Sequence, residues 1–289
     1  MNITSLNHLT NAEYRAYAAV SQSDLKAAKR NPQLYYETYL REPAASRRSK
    51  PATTAEQQWG IACETFLRTQ QLPEDVVVIP AEALNRDGHR KGAAWTEFAA
   101  ANVGKTLVTR REYDQQFAGL EDAFSNVMEH AVAKMILESP TALWSQRFAW
   151  ECPETGLPLK AEADLVDPER GILVDVKTAA DTDQEAFGRA VYTFGYDIQA
   201  AQYLEAVQQM WPEQQWTYGW IVIRNKGPYE VEVYDATDEL LAYGRRRLMA
   251  ARAHFRECVE SGTWKSPTHG LSVALELPAW VRTRETISN

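Results

Sequence analysis

Cysteine is scarce in this chain: Cys63, Cys152 and Cys258 are the only three among 289 residues. They are too few and too scattered for a four-cysteine iron–sulfur cluster, and each reads as a small core or surface residue in a reducing cytoplasm. The five histidines, at positions 8, 89, 130, 254 and 269, form no His-Glu-x-x-His pair, so zinc hydrolysis has no support. Gly104-Lys105-Thr106 ends like a phosphate loop, but Ala99 stands where the earlier glycine is required. ATP hydrolysis is therefore not indicated. No apolar run approaches the roughly 20 residues of a membrane span, and the start, with its Asn, Thr and Ser, lacks a signal-peptide profile. A cytoplasmic protein without a membrane partner is expected. Tandem repeats and a long tail are missing as well. Positive charge is in deficit, 31 Lys and Arg against 39 Asp and Glu for a net −8, which on its face argues against a nucleic-acid partner.

Aromatic residues, by contrast, are plentiful. Nine Trp and thirteen Tyr argue against disorder, and 289 residues suffice for one elaborated α/β domain with a sizeable core. Within it, Leu159 to Val166 alternates, placing Lys160, Glu162 and Asp164 on one face and Leu159, Ala161, Ala163 and Leu165 on the other. Asp167-Pro168-Glu169-Arg170-Gly171 reads as a turn. The following Ile172 to Lys177 segment is apolar enough for a central strand, yet it carries Asp175 and Lys177 on one face. Burying those charges is costly without partners or a metal, and a hairpin would bring Asp164 beside them. Two acids on neighbouring strands suit Mg²⁺, a hard ion that prefers oxygen ligands. Such an ion polarises a phosphoryl oxygen, and a second one roughly 4 Å away could stabilise the leaving oxygen. Lys177 could orient the attacking water or offset phosphate charge. The plain alternative is a hairpin with a cross-strand ion pair between Asp164 and Lys177.

The order of elements extends the first reading. A helix is predicted over Gln57 to Thr69, then, after an insertion, a strand over Gln146 to Glu151. Downstream come a helix over Tyr196 to Met210 and a strand over Trp216 to Arg224. Helix, three strands, helix, strand makes a compact α/β core with the acids at its centre.

On these residues the chain resembles the PD-(D/E)XK nucleases, most closely the RecE-type exonuclease domain (exodeoxyribonuclease VIII) of phage and prophage recombination systems. The likeness is carried by Ala163-Asp164, by Asp175-Val176-Lys177-Thr178-Ala179-Ala180-Asp181, and by Tyr196-Asp197-Ile198-Gln199 leading to Tyr203. Val20-Ser21-Gln22-Ser23-Asp24-Leu25, Gly104 to Thr109 and Leu277-Pro278-Ala279-Trp280 extend it over nearly the whole chain. It implies a restriction-endonuclease-like core, a mixed central sheet flanked by helices, with N-terminal and inserted helical elements. Asp164 and Asp175 are then metal ligands, the Val176 carbonyl another, and Lys177 the catalytic lysine. Gln199 and Tyr203 match a Gln-x-x-x-Tyr signature; four residues apart on a helix, they share a face and could contact the substrate backbone or hold the lysine. The plain reading of that pair is a buried Tyr with a capping amide. Trp59-Gly60-Ile61-Ala62-Cys63-Glu64 resembles the motif that adds another ligand, with Glu64 where RecE-type chains usually carry His. Glu162 is a helper or only a solvated strand residue.

The resemblance further implies an Mg²⁺-dependent exodeoxyribonuclease, with Mn²⁺ as a substitute, that acts on double-stranded DNA ends. Digestion would run 5′ to 3′ without ATP, leaving a 3′ single strand for a RecT-like annealing protein, and the enzyme would form a homo-oligomeric ring. An endonuclease on the same core, or a noncatalytic recombination module, are the alternatives. One domain over 1–289 is expected. Residues 1–56 form an N-terminal helical segment and flexible basic linker, 57–234 a nuclease core with an insertion at about 70–143, and 235–289 a C-terminal helix and tail. Basic clusters at Lys26-Lys29-Arg30, Arg47-Arg48-Lys50, Arg86 to Lys91, Arg110-Arg111 and Arg245-Arg246-Arg247 could make a groove positive beneath a negative exterior. Each alone reads as an ordinary solvated face. Arg86, Arg90 and Lys91 are the preferred DNA contacts, because Asn85, Gly88 and Gly92 suggest a loop able to close on DNA. Trp95, just beyond, could stack on a base, though such a residue is more often core.

Overall fold

The computed structural model describes residues 3–41, 54–73, 76–103, 105–117, 119–266, 268–274 and 276. Arg47-Arg48-Lys50, most of the expected linker, Gly104 and the Leu277 to Trp280 segment lie outside them. The strands are β1 (Thr4–Ser5), β2 (Val76–Val78), β3 (Thr106–Val108), β4 (Leu143–Glu151), β5 (Pro158–Asp167), β6 (Ile172–Ala179), β7 (Thr217–Arg224) and β8 (Val231–Asp235). The first helices are α1 (Asn11–Ala16), α2 (Gln22–Arg30), α3 (Pro32–Tyr35) and α4 (Ala55–Thr69). The insertion contributes α5 (Ala93–Ala101), α6 (Arg110–Gln116), α7 (Leu120–Glu129) and α8 (Ala131–Leu137). The last three are α9 (Gln184–Phe194), α10 (Tyr196–Met210) and α11 (Asp238–Ser261).

Six strands form one sheet in the order β1-β4-β5-β6-β7-β8, and β2 and β3 pair separately in parallel. Within the large sheet only β6 and β7 run parallel. A parallel neighbour needs a crossover, which α9 and α10 supply. Helices α2, α9, α10 and α11 cover one face over Leu159, Ala161, Ala163, Leu173 and Trp220. On the other, α4, α7 and α8 cover Leu165, Val174, Val176, Ile221 and Ile223. Burial on both faces is why β6 and β7 read as near-continuous apolar runs. Close packing of α11 on α10 depends on Gly244, where a Cβ would stand 2.3 Å from the Asp197 carbonyl oxygen.

The predicted helix over Tyr196 to Met210 forms with those boundaries. Helix α4 starts two residues earlier than expected, because the Thr54 hydroxyl and the Gln57 side chain build a capping box there. Strand β5 departs from simple alternation at its most important residue. Ala163 and Leu165 were expected on one face, yet they lie in opposite cores. The register of β4 against β5 runs through Trp144↔Leu165 and Gln146↔Ala163 but skips Ser145 and Asp164, and Ser145 adopts a left-handed backbone with φ 52°. One irregular residue changes the phase of the pleat. The β5–β6 ladder likewise extends only from Asp167↔Ile172 to Leu165↔Val174.

Candidate active site

Where that ladder stops, the Asp164 side chain takes over a backbone role: its Oδ2 accepts the Val176 N–H at 2.8 Å. Opposite it, Asp175 is 1% exposed and accepts on Oδ1 from Gln199 Nε2 at 2.5 Å. Its Oδ2 lies against Lys177 Nζ as an ion pair. The ion pair weighed from the sequence joined Asp164 to Lys177; the one formed joins Asp175 to Lys177 within a single strand. Lys177 also stands over the Tyr196 ring, 4.9 Å from its centroid.

Glu64 reaches these groups because of a glycine one turn before it. At Gly60 a Cβ would lie 2.9 Å from Thr178 Oγ1, so the missing side chain lets α4 seat against the end of β6. Four residues on, Glu64 projects from the same helix face into a cleft of about 930 Å³ that it lines with Val176, Lys177, Thr178 and Gln199. Burial raises the Glu64 carboxyl above its ordinary range, and the Asp175 charge raises it further. Asp164 is pushed well above the usual aspartate range, first by burial and then by Asp175 and Glu64. Burial works against the Lys177 ammonium, but Asp175 and Asp164 outweigh it and keep the amine protonated well beyond the ordinary lysine range.

Carboxylates that raise one another's affinity for protons form a cluster awaiting positive charge. The donors are hard oxygens whose charges oppose one another, so in kind the set fits a divalent cation. As they stand, no three His, Cys, Asp or Glu side chains among the described residues are close enough together to hold one. Lys177 occupies the position against Asp175 Oδ2 instead. Val176 lines the same cleft, its N–H spent on Asp164.

Other predicted residues fall in different places. Gln199 is 6% exposed and serves Asp175 rather than the lysine or an open surface. Tyr203 is 7% exposed and hydrogen-bonds Gln199; burial and then the Asp175 charge hold its phenol well above the usual range. Gln199 thus meets the cleft while holding Asp175, and Tyr203 is buried in the core beside it. Glu162 gives its carboxylate to Arg147, accepting from Nε at 2.8 Å and Nη2 at 2.7 Å. Arg86, Arg90 and Lys91 are exposed but do not line the cleft. In that loop Asn85 Oδ1 accepts from the Asp87 and His89 N–H groups, and Arg90 is engaged by the Leu107 carbonyl at 3.0 Å and by Glu112. Trp95 is half-buried, with the Arg90 guanidinium 5.9 Å from its ring centroid. The Ser21 to Leu25 motif builds the capping box of α2, with Ser21 and Asp24 bonded reciprocally and Leu25 fully buried.

Sequence reading missed two residues of the cleft. Lys26 lies in its wall and donates to the Phe194 carbonyl at 2.9 Å. Burial and the nearby Lys177 lower its ammonium to about 8. The sequence marks Lys26 only as a member of the Lys26-Lys29-Arg30 cluster, because Phe194 is 168 residues away along the chain. Tyr196, beneath Lys177, was at least visible as the start of the Tyr196 to Gln199 motif.

A mixed sheet covered on both faces, with Asp164 on one central strand and Asp175-x-Lys177 on the next, defines a PD-(D/E)XK-like fold. Residues 83–270 match the family described as PDDEXK-like domain of unknown function (DUF3799), and the chain belongs to that family. The match includes Asp164, Asp175, Lys177, Gln199 and Tyr203 and begins after Glu64, whose place therefore rests on geometry. A crystal structure from Eubacterium rectale, provisionally described as an exonuclease, is similar at a TM-score of 0.58 and 15% identity over 98% of each chain. That likeness shows the fold. A phage related exonuclease from Haemophilus somnus 129PT, 13% identical over 87% of this chain and 100% of its own, superposes only at a TM-score of 0.30. No curated protein matches the sequence. Among the described residues no helix is long and apolar enough to cross a membrane.

Proposed function

We propose that the chain is a divalent-metal-dependent deoxyribonuclease that uses Mg²⁺, accepts Mn²⁺, and digests linear double-stranded DNA from its ends without ATP. The observation that supports the chemistry is that Glu64 and Lys177 line one cleft while Asp175, paired with Lys177, and Asp164, bonded to the Val176 N–H, lie buried near enough for the three acids to raise one another's proton affinity. End preference, 5′-to-3′ direction, delivery of the 3′ strand to a RecT-like annealing protein and ring assembly rest on the RecE-type resemblance alone.

Glu64, Asp164 and Asp175 would hold the metal, which when bound polarises a phosphoryl oxygen and lowers the pKa of water. Lys177 stays protonated at neutral pH, so its part is to offset charge on the phosphate and to orient the attacking water by hydrogen bonding. Gln199 fixes the rotation of the Asp175 carboxylate, and Tyr203 fixes Gln199 from behind. Asp164, through Val176 N–H, ties the two acid-bearing strands together where their own ladder has ended.

The test uses end-labelled linear duplex and covalently closed circular DNA, each with Mg²⁺ or EDTA, and the Asp175→Ala variant in parallel. Progressive loss of linear duplex only, requiring Mg²⁺ and Asp175, is the expected result, and the label lost first gives the polarity. Equal cleavage of the circle would replace the exonuclease with an endonuclease on the same core. A folded, DNA-binding protein that cleaves neither substrate would overturn the enzymatic reading.

A further inference from the structure

Beside the cleft, two helices present aromatic rings to solvent where a helix pair would ordinarily bury them. Tyr192 and Phe194, at the end of α9, are each 59% exposed, and Tyr243 on α11 is 39% exposed. The Tyr192 and Tyr243 rings are 6.3 Å apart, and the Arg247 guanidinium stands against both, 4.6 Å from the Tyr192 centroid and 5.8 Å from that of Tyr243. Arg247 cannot swing away: it donates to both Asp197 oxygens, at 2.9 and 3.0 Å, and Asp197 is 1% exposed. It also donates to the Tyr192 carbonyl at 3.2 Å. The Arg246 guanidinium stands 5.6 Å from the Tyr243 ring and is exposed to solvent. On the inner side, Phe194 lines the cleft and its ring is 5.7 Å from Tyr196, which in turn lies under Lys177. Phe194 thus faces the cleft from the last turn of α9, while Tyr192 in the same turn meets Tyr243 on α11.

We infer that Tyr192 and Tyr243, with Arg246 and Arg247, form a stacking platform for single-stranded DNA beside the cleft, and that Phe194 continues it at the cleft wall. Chemistry selects the occupant. Flat apolar faces held rigid by a buried ion pair suit bases, which stack regardless of sequence, while exposed Arg246 suits a phosphate. A chain of net charge −8 has little reason to gather such a surface next to its acids unless a polyanion passes there. The platform gives the strand under attack a hold on the protein beyond its scissile phosphate. This role rests on the nuclease reading; the binding itself does not.

Fluorescence anisotropy with a labelled oligothymidylate of about 12 nucleotides, in EDTA so that no cleavage occurs, tests it. Tyr192→Ala with Phe194→Ala should weaken binding at least about tenfold, while Tyr192→Phe and Phe194→Tyr should keep it. Both side chains are mostly in solvent, so folding, checked by circular dichroism, is expected to be unchanged. Unaltered affinity in the double alanine variant would overturn the platform, as would equal loss in the aromatic variants. If the alanines instead abolish self-association in sedimentation while leaving oligonucleotide affinity intact, the face joins copies of this chain and the platform is refuted. Failure of the nuclease reading shows separately, as an absence of metal-dependent cleavage by the unaltered protein.

Discussion

Replacing Gln199 by Met keeps the length of the side chain and removes the donor to Asp175. The lost hydrogen bond spans 2.5 Å to a carboxylate that is 1% exposed. A hydrogen bond to a charged group contributes about 1.5–3 kcal/mol net, and the burial of Asp175 puts the expected loss at about 2–3 kcal/mol. For a chain of this size the melting temperature should fall by about 3–5 °C. Urea denaturation in EDTA measures the loss, and a double-mutant cycle with Asp175→Ala isolates the pair. Lys177 loses its partner in both Asp175→Ala arms of that cycle, so its contribution cancels. A coupling energy above about 1 kcal/mol is expected; one below about 0.5 kcal/mol would refute the assignment of Gln199 as the holder of Asp175. With Mg²⁺ present, the same substitution should also weaken metal-dependent stabilisation, since Asp175 is then free to rotate.

The raised Asp164 carboxyl makes the metal-free native state bind more protons than the unfolded chain, so stability falls as pH rises from the ordinary carboxylate range toward the raised value. Asp164→Asn should therefore stabilise the protein in EDTA increasingly over that interval, and melting curves at several pH values check it; a pH-independent effect would contradict the charge cluster. Lys177 has a linkage of the same sign in a more alkaline window: its stabilising contribution is complete below the ordinary lysine range and lost as pH rises through the elevated one. Lys177→Met should cost about 3 kcal/mol at neutral pH by leaving Asp175 buried without a counter-charge, measured by urea denaturation, and should lower turnover more than metal affinity. Gly244→Ala should destabilise by about 1–3 kcal/mol, because its Cβ would meet the Asp197 carbonyl rather than a movable side chain, and thermal unfolding reads this directly. An unchanged melting temperature would mean that α11 can shift off α10 without cost.

Residues that act within their own strand or helix were legible before any coordinates. The charged Asp175-Val176-Lys177 run inside an apolar strand, the alternation of Leu159 to Ala163, the turn at 167–171 and the helix over Tyr196 to Met210 are all set by periods of two or 3.6 residues and by turn chemistry. Those signals need no knowledge of neighbours, and the family resemblance rests on the same short segments.

Tertiary structure decided who meets whom. Strand alternation could not show that the pleat changes phase at Asp164, because the cause lies in the backbone of Ser145 on another strand. Glu64 faces the acids only because Gly60 lets α4 meet Thr178, 118 residues downstream on β6. Gln199 could have served lysine or substrate; burial left Asp175 as the acceptor within reach. Arg90 looked free in the sequence, yet the fold carries Glu112 to it and away from the cleft. Lys26 reads as one member of a solvated basic run until α2 packs beside α9 and places it in the cleft wall. Spacing along the chain determines which side chains share a strand or a helix face, whereas long-range packing determines which charges must share a low-dielectric space.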